Sequence, residues 1–249
     1  AMYKASETGL IDGDELDAAR RSMSEDLYQQ EFECSFEAAV RGAFYAKEIA
    51  EARADGRFIE RLYDRHLTVW TAWDLGIDDA TAIWFFQLYR NEIRWIDYEE
   101  HSGEDLAFYA KTLAEKPYIY EGHILPHDVK VRELSSARRR IDTLYDLGLK
   151  NIEVAPNGTV ADGINAARVI VARSWFDTET CARGVDCLEN YRKEWDGKRQ
   201  VFKPQPLHDW ASHASDAFRY AATMIDFEEA EADAHRERRR HGRDSRTGY

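Results

Sequence analysis

Three aspartates in separate stretches of the chain carry the chemistry that can be read from residue type and spacing. Asp74 lies in TAWDLGIDDATAIWF, inside an apolar run that reads as a strand. Strand neighbours point to opposite faces, so Asp74 shares a face with Ala72 and Gly76. A carboxylate in that setting needs a partner, and a metal ion is one. Asp128 follows in HILPHDVK, where an apolar strand breaks at Pro126. Asp216 sits in HDWASHASDAFRYAATMIDF, a helix with readable faces. Trp210, Ala214, Ala217, Phe218, Ala221 and Ile225 make its core stripe. Asp209, His213, Asp216 and Tyr220 recur at intervals of 4, 3 and 4 along an adjacent stripe.

Each residue also has a plainer reading. Asp74 can end a strand, Asp128 and His127 can belong to a polar turn, and Asp209 is favoured as the N-cap of its helix. As a set they say more. Oxygen ligands from distant segments, with no thiolate among them, suit Mg²⁺ or Mn²⁺ better than zinc. Two such ions about 3.5–4 Å apart activate a water and stabilise charge on a scissile phosphate and its leaving oxygen. His213, three residues before Asp216, can point at the same ion.

The elements that must position these groups follow from periodicity. HLTVWTAWDLG, TAIWFFQLYR and EIRWIDYEE read as three successive strands, rich in β-branched and aromatic residues. EDLAFYAKTLAEK reads as a helix, YIYEGHILPHD as a fourth strand, SARRRIDTLYDLG as a helix stopped by Gly148, and KNIEVAP as a fifth strand. GINAARVIVARSWF continues as helix, and TETCARGVDCLENYRKEW is helical first. Three strands followed by alternating helices and strands predict an α/β plan with a mixed sheet. Upstream, Phe36, Val40, Phe44 and Ile49 fall near one face of a helix ended by Asp55-Gly56. The segment before it is an acidic, irregular linker. The charge-dense end, with AHRERRRHGRDSR, reads as a solvated, disordered tail.

Composition bounds the function. The chain has 249 residues, 44% hydrophobic, enough for one substantial core. Ala1-Met2 reads as an addition ahead of a domain cut from a longer protein. No apolar stretch approaches the roughly 20 residues needed to span a bilayer, and no secretory signal opens the chain, so no membrane role is expected. Cys34, Cys181 and Cys187 form no CxxC pair and read as inert thiols in a reducing compartment. No GxxxxGK[ST] loop is present, so the chain has no phosphate-cradling ATPase site of its own. The net charge of −13 opposes phosphate binding. Any contact with nucleic acid must be local, from residues such as Lys130, Arg132, Arg138 and Arg139, with Lys198 and Arg199 as further candidates.

Four stretches together resemble the C-terminal nuclease domain of a tailed-bacteriophage terminase large subunit: YQQEFECSFEAAVRGAFY, TAWDLGIDDATAIWF, HILPHDVKVRELSSARRRIDTLYDLG and PLHDWASHASDAFRYAA. They extend from Tyr28 to Ala222. The resemblance implies a ribonuclease H-like α/β fold, a central mixed sheet flanked by helices. Asp74 would lie on its first strand, Asp128 at the end of its fourth, and Asp216 on its last core helix. It implies a metal-dependent endonuclease (a hydrolase), in which Asp74, Asp128 and Asp216 bind two Mg²⁺ or Mn²⁺ ions. Its substrate would be double-stranded viral DNA, cut when packaging starts and ends. His213 matches a histidine that some members place three residues before the last aspartate. Residues 1–60 would be the linker and helix leaving a missing ATPase motor, 61–227 the nuclease, and 228–249 the tail. Trp175–Gln205 would be a variable insertion that often forms a β-hairpin. The full-length protein would meet an ATPase domain, the portal ring and a small terminase subunit in the host cell cytoplasm. A Holliday-junction resolvase or integrase-like core of the same fold is one alternative. A non-catalytic module docking motor to portal is another.

Overall fold

The computed structural model describes residues 13, 15, 42–76, 79–130, 138–199 and 201–225. Its frame is a seven-stranded mixed sheet in the order β1-β7-β4-β3-β2-β5-β6. The centre is a meander of β2 (Val69–Asp74), β3 (Ala80–Tyr89) and β4 (Glu92–Ser102), paired antiparallel. On one side β5 (Tyr120–Leu125) and β6 (Ile152–Val154) add in parallel, and on the other β7 (Ser174–Asp177) and β1 (Phe58–Ile59) do the same. The central strands are buried on both faces, which is why they read as nearly continuous apolar runs.

Each face carries its own helices. Trp70, Ala72, Trp84, Phe86 and Trp95 face one cluster, which is completed by α1 (Ala46–Ala54), α4 (Val160–Val171), α5 (Ala182–Asn190) and α6 (Ser212–Met224). Trp73, Ile83, Phe85 and Ile96 face the other, under α2 (Leu106–Glu115) and α3 (Arg140–Asp146). Caps set the helix starts: Asp105 accepts the Phe108 amide at the head of α2, and Thr159 accepts the Asp162 amide at the head of α4. Gly148, at φ 97°, follows α3 in the left-handed conformation that glycine adopts at no cost. Gly184 lets α5 lie against the sheet, because a Cβ there would fall 2.4 Å from the Trp84 ring.

Two expectations change, and the two readings of the insertion are reconciled. Phe44, Tyr45, Ile49 and Ala52 are buried, the first three in the main core cluster, and Phe58–Ile59 pairs with β7. Residues 44–59, which the resemblance assigned to the linker and helix leaving a motor domain, therefore pack into the same core as the sheet. SWFD is not the end of a helix. Ser174 accepts from Trp95 Nε1 and donates to the Ile170 carbonyl, and the next residues enter the sheet as β7. Beyond α5, β8 (Lys193–Asp196) and β9 (Val201–Pro206) form an antiparallel hairpin, so the insertion is helix first and hairpin second. The upstream part of the Phe36–Ala54 helix, Cys34 and the tail lie outside the described residues. Cys181 and Cys187 are buried free thiols. Among the described residues, no helix is long and apolar enough to cross a membrane.

Candidate metal centre

β2 and β5 are parallel neighbours, with Ala72 opposite Ile124. Their C-terminal ends therefore open on one edge of the sheet. Asp74 is the last residue of β2, and the chain leaving β5 turns at Pro126 into a single 3-10 turn, His127–Lys130, that holds Asp128. Helix α6 packs across this end. Its Ala214, Ala217, Phe218 and Ala221 enter the core, which turns the adjacent stripe of His213, Asp216 and Tyr220 toward the strand ends.

The stripe meets the strands directly. Nδ1 of His213 lies 2.9 Å from Oδ2 of Asp74. Burial pushes the Asp74 carboxyl up from its usual range, and the nearby Asp216 and Asp128 carboxylates push it further, against the His213 hydrogen bond. The same hydrogen bond to Asp74 raises His213. The Tyr220 phenol is raised by burial and then by Asp74, Asp216 and Asp128 together. The charges of all three carboxylates thus act on this one hydroxyl.

Two of the acids are prepared differently. Oδ1 of Asp216 accepts from Nη2 of Arg219 at 2.7 Å, from its Nε at 3.2 Å, and from the Tyr191 hydroxyl at 3.4 Å. Oδ1 of Asp128 is buried with no hydrogen-bond partner among the described residues. A buried carboxylate oxygen left unpaired, beside two more carboxylates, is unfavourable in the protein alone and suits a bound cation. The donor set is oxygen-rich, which fits a hard divalent ion.

The candidate phosphate contacts are less uniform. Lys130 is exposed at the end of the turn that carries Asp128. Arg138 pairs with Asp146, and Arg139 forms a bidentate pair with Asp142 at 2.8 and 2.9 Å. Arg132 lies outside the described residues. Lys198 and Arg199 sit exposed in the turn of the β8–β9 hairpin. Asp209 is not the N-cap of α6, a position held by Ala211. Its Oδ1 instead accepts the Ala211 amide, its own amide donates to Ser212 Oγ, and its carboxylate lies 3.4 Å from Arg192. The tight turn moves the helix start two residues along.

Sequence reading did not single out Arg219 and Tyr191. Arg219 had a local signal, three residues after Asp216 on one helix face. Tyr191 had none, because it reaches Asp216 across 25 residues of chain.

No protein-family model matches the chain. The terminase large subunit of Escherichia phage T5 is 23% identical over 224 residues, which is 86% of this chain and 49% of that protein. The chain thus spans about half the length of the curated relative it matches. The large terminase of a thermophilic bacteriophage, in complex with ATP-gamma-S, matches with a TM-score of 0.56 at 17% identity, covering 90% of this chain and 55% of that one. The large terminase nuclease of a second thermophilic phage, G20c, with bound cobalt, matches with a TM-score of 0.51 at 12% identity, covering 75% of this chain and 100% of that one. The chain is a sequence homologue of a phage terminase large subunit. Its fold is the ribonuclease H-like fold of terminase nuclease domains.

Proposed function

We propose that this chain is the nuclease domain of a terminase large subunit, and that it cuts double-stranded viral DNA when genome packaging starts and ends. Asp74, Asp128 and Asp216 are its catalytic residues and hold two divalent ions, Mg²⁺ or Mn²⁺. The observation that supports this reading best is Oδ1 of Asp128, buried with no hydrogen-bond partner among the described residues, on the turn that leaves β5 beside the β2 end holding Asp74. The cobalt bound in the G20c nuclease supports the use of a divalent ion.

The residues divide the work. Asp74 at the end of β2 and Asp128 on the turn leaving the neighbouring β5 offer oxygens from the sheet side, and Asp216 offers one from the helix above. Arg219 and Tyr191 fix Oδ1 of Asp216 and leave Oδ2 free of those contacts. His213, expected as a further ligand, acts here through Asp74, holding its Oδ2 with Nδ1. When bound, the ions supply an activated water and neutralise charge on the phosphate and leaving oxygen. Lys130, exposed beside Asp128, is placed to meet the DNA backbone.

In the full-length protein the domain would work beside an ATPase motor, the portal ring and a small terminase subunit, in the host cytoplasm. Residues before 44 are assigned to the connection from that motor and residues 228–249 to a tail. Incubating supercoiled plasmid with the protein in Mn²⁺, Mg²⁺ or chelator tests the reading. Nicking and linearisation that require the ion are expected. No cleavage with either ion would leave a docking module, and cutting confined to branched DNA would point to a junction resolvase.

A further inference from the structure

Beside the carboxylates lies an open pocket of about 610 Å³, walled in part by Asp79, Glu100, Arg183, His208, Asp209 and His213. Its three acids are not equivalent. Glu100 accepts from Nε of Arg183 at 3.0 Å, and Asp209 lies 3.4 Å from Arg192. Asp79 has no arginine or lysine partner among the described residues, and its Oδ2 lies 3.9 Å from Nε2 of His208. One ligand atom each from Asp79, His208 and His213 fall within 4.8 Å of one another.

The orientation of His213 adds an independent indication. Its Nδ1 is committed to Asp74 at 2.9 Å. A carboxylate on one imidazole nitrogen holds the N–H there and leaves the other nitrogen's lone pair for a metal, the usual arrangement behind a metal-binding histidine. Nε2 of His213 is therefore the nitrogen left for an ion on the pocket side.

We propose that Nε2 of His213, His208 and Asp79 form a second metal site, separate from the three-aspartate centre, that takes one transition-metal ion. Two imidazoles and one carboxylate, with solvent in the fourth position, suit Zn²⁺ or Co²⁺ and disfavour Mg²⁺. Ligand atoms around a tetrahedral zinc lie roughly 3.3 Å apart, so the cluster must close by at most roughly 1.5 Å. Asp79 and His208 are both exposed, one just ahead of β3 and the other between β9 and α6, and can make that movement without disturbing the core. The two centres then share one imidazole: the pocket ion on Nε2, Asp74 on Nδ1.

Calorimetric titration with Zn²⁺, in saturating Mg²⁺ to fill the oxygen sites, tests this without reading cleavage. The parent protein is expected to bind one Zn²⁺ that Mg²⁺ does not displace. His208→Ala should weaken that binding by at least about tenfold, while Asp128→Ala retains it. A His208→Ala variant that binds Zn²⁺ as tightly as the parent overturns the site, and so does a parent that binds none. Equal loss in both variants would show a single shared centre, which also overturns it. Mn²⁺-dependent plasmid cleavage by the His208→Ala variant, run alongside, reports on the nuclease reading separately.

Discussion

Nη2 of Arg219 and the hydroxyl of Tyr191 converge on the same oxygen of Asp216, Oδ1, at 2.7 and 3.4 Å. The guanidinium is buried, and its charge sits one helical turn from the carboxylate it holds. An acid fixed at one oxygen presents the other in a constant direction, which is what an ion ligand on a helix requires.

Arg219→Met should therefore act twice. Loss of a partly buried, charge-assisted contact should lower stability by about 1.5–3 kcal/mol. Release of Asp216 should raise the Mn²⁺ concentration needed for half-maximal cleavage several-fold. Arg219→Lys keeps the charge but loses the two-nitrogen contact, so it should recover stability better than metal dependence. Melting curves and cleavage against Mn²⁺ separate the two effects. An unchanged Mn²⁺ dependence in the Met variant would make Arg219 a packing residue only.

Asp74→Ala, Asp128→Ala and Asp216→Ala should each abolish plasmid cleavage and leave a folded protein. Asp128→Ala should melt higher than the parent in chelator, by about 1 kcal/mol, because its Oδ1 is buried without a partner among the described residues and its charge repels Asp74. Cleavage near the parent rate would take that residue out of the centre. Melting below the parent in chelator would show that Asp128 has a partner in solution.

The sheet and the acids were legible because each is written locally. β2, β3 and β4 announce themselves through aromatic and β-branched runs, and the period of two places Asp74 on the face of Ala72, toward α6. The helical period places Asp216 and His213 on one stripe. β7 was hidden, because four residues directly after VIVAR, three of them buried, look like one more helical turn until Ser174 pairs beside Ile93. The docking of residues 44–59 onto the sheet was not legible because their burial comes from partners more than a hundred residues away, such as Phe176 beside Phe58. The Asp209 turn was mistaken for a cap because both place an Asp a few residues before a helix. The Asp79–His208 approach is written nowhere locally, since 129 positions separate the two.

DNA binding by this acidic chain should be weak, non-specific and salt-sensitive, about 10⁻⁴–10⁻⁶ M or weaker. Arg138 and Arg139 are engaged by Asp146 and Asp142, whereas Lys130 is exposed beside Asp128. Lys130→Ala should reduce the slope of log affinity against log salt by about one, the value of one lost phosphate contact. Arg139→Ala should change it little. Fluorescence anisotropy with a labelled duplex across a salt series measures both, and the reverse order would move the DNA path toward α3.

Acid should unfold this protein through a residue outside the centre, His123. Its ring is buried on β5, and desolvation lowers its pKa from 6.5 to about 4. Its Nδ1 lies 2.7 Å from Thr71 Oγ1, which already accepts from Nε1 of Trp73 at 2.6 Å. The Thr71 hydroxyl keeps its own proton for Nδ1, an arrangement that suits the neutral ring with its proton on Nε2. Between about pH 4 and 6.5 the unfolded chain binds a proton here that the folded chain does not. Stability therefore rises with pH across that window and falls as pH drops through it, by up to about 3 kcal/mol from this residue. His123→Gln should lower stability at pH 7, because the chain of hydrogen bonds is broken, yet flatten the loss between pH 6.5 and 4. Urea unfolding at several pH values, in chelator so that metal occupancy does not vary, gives the comparison. An equally steep acid dependence in the variant would assign the loss to other groups.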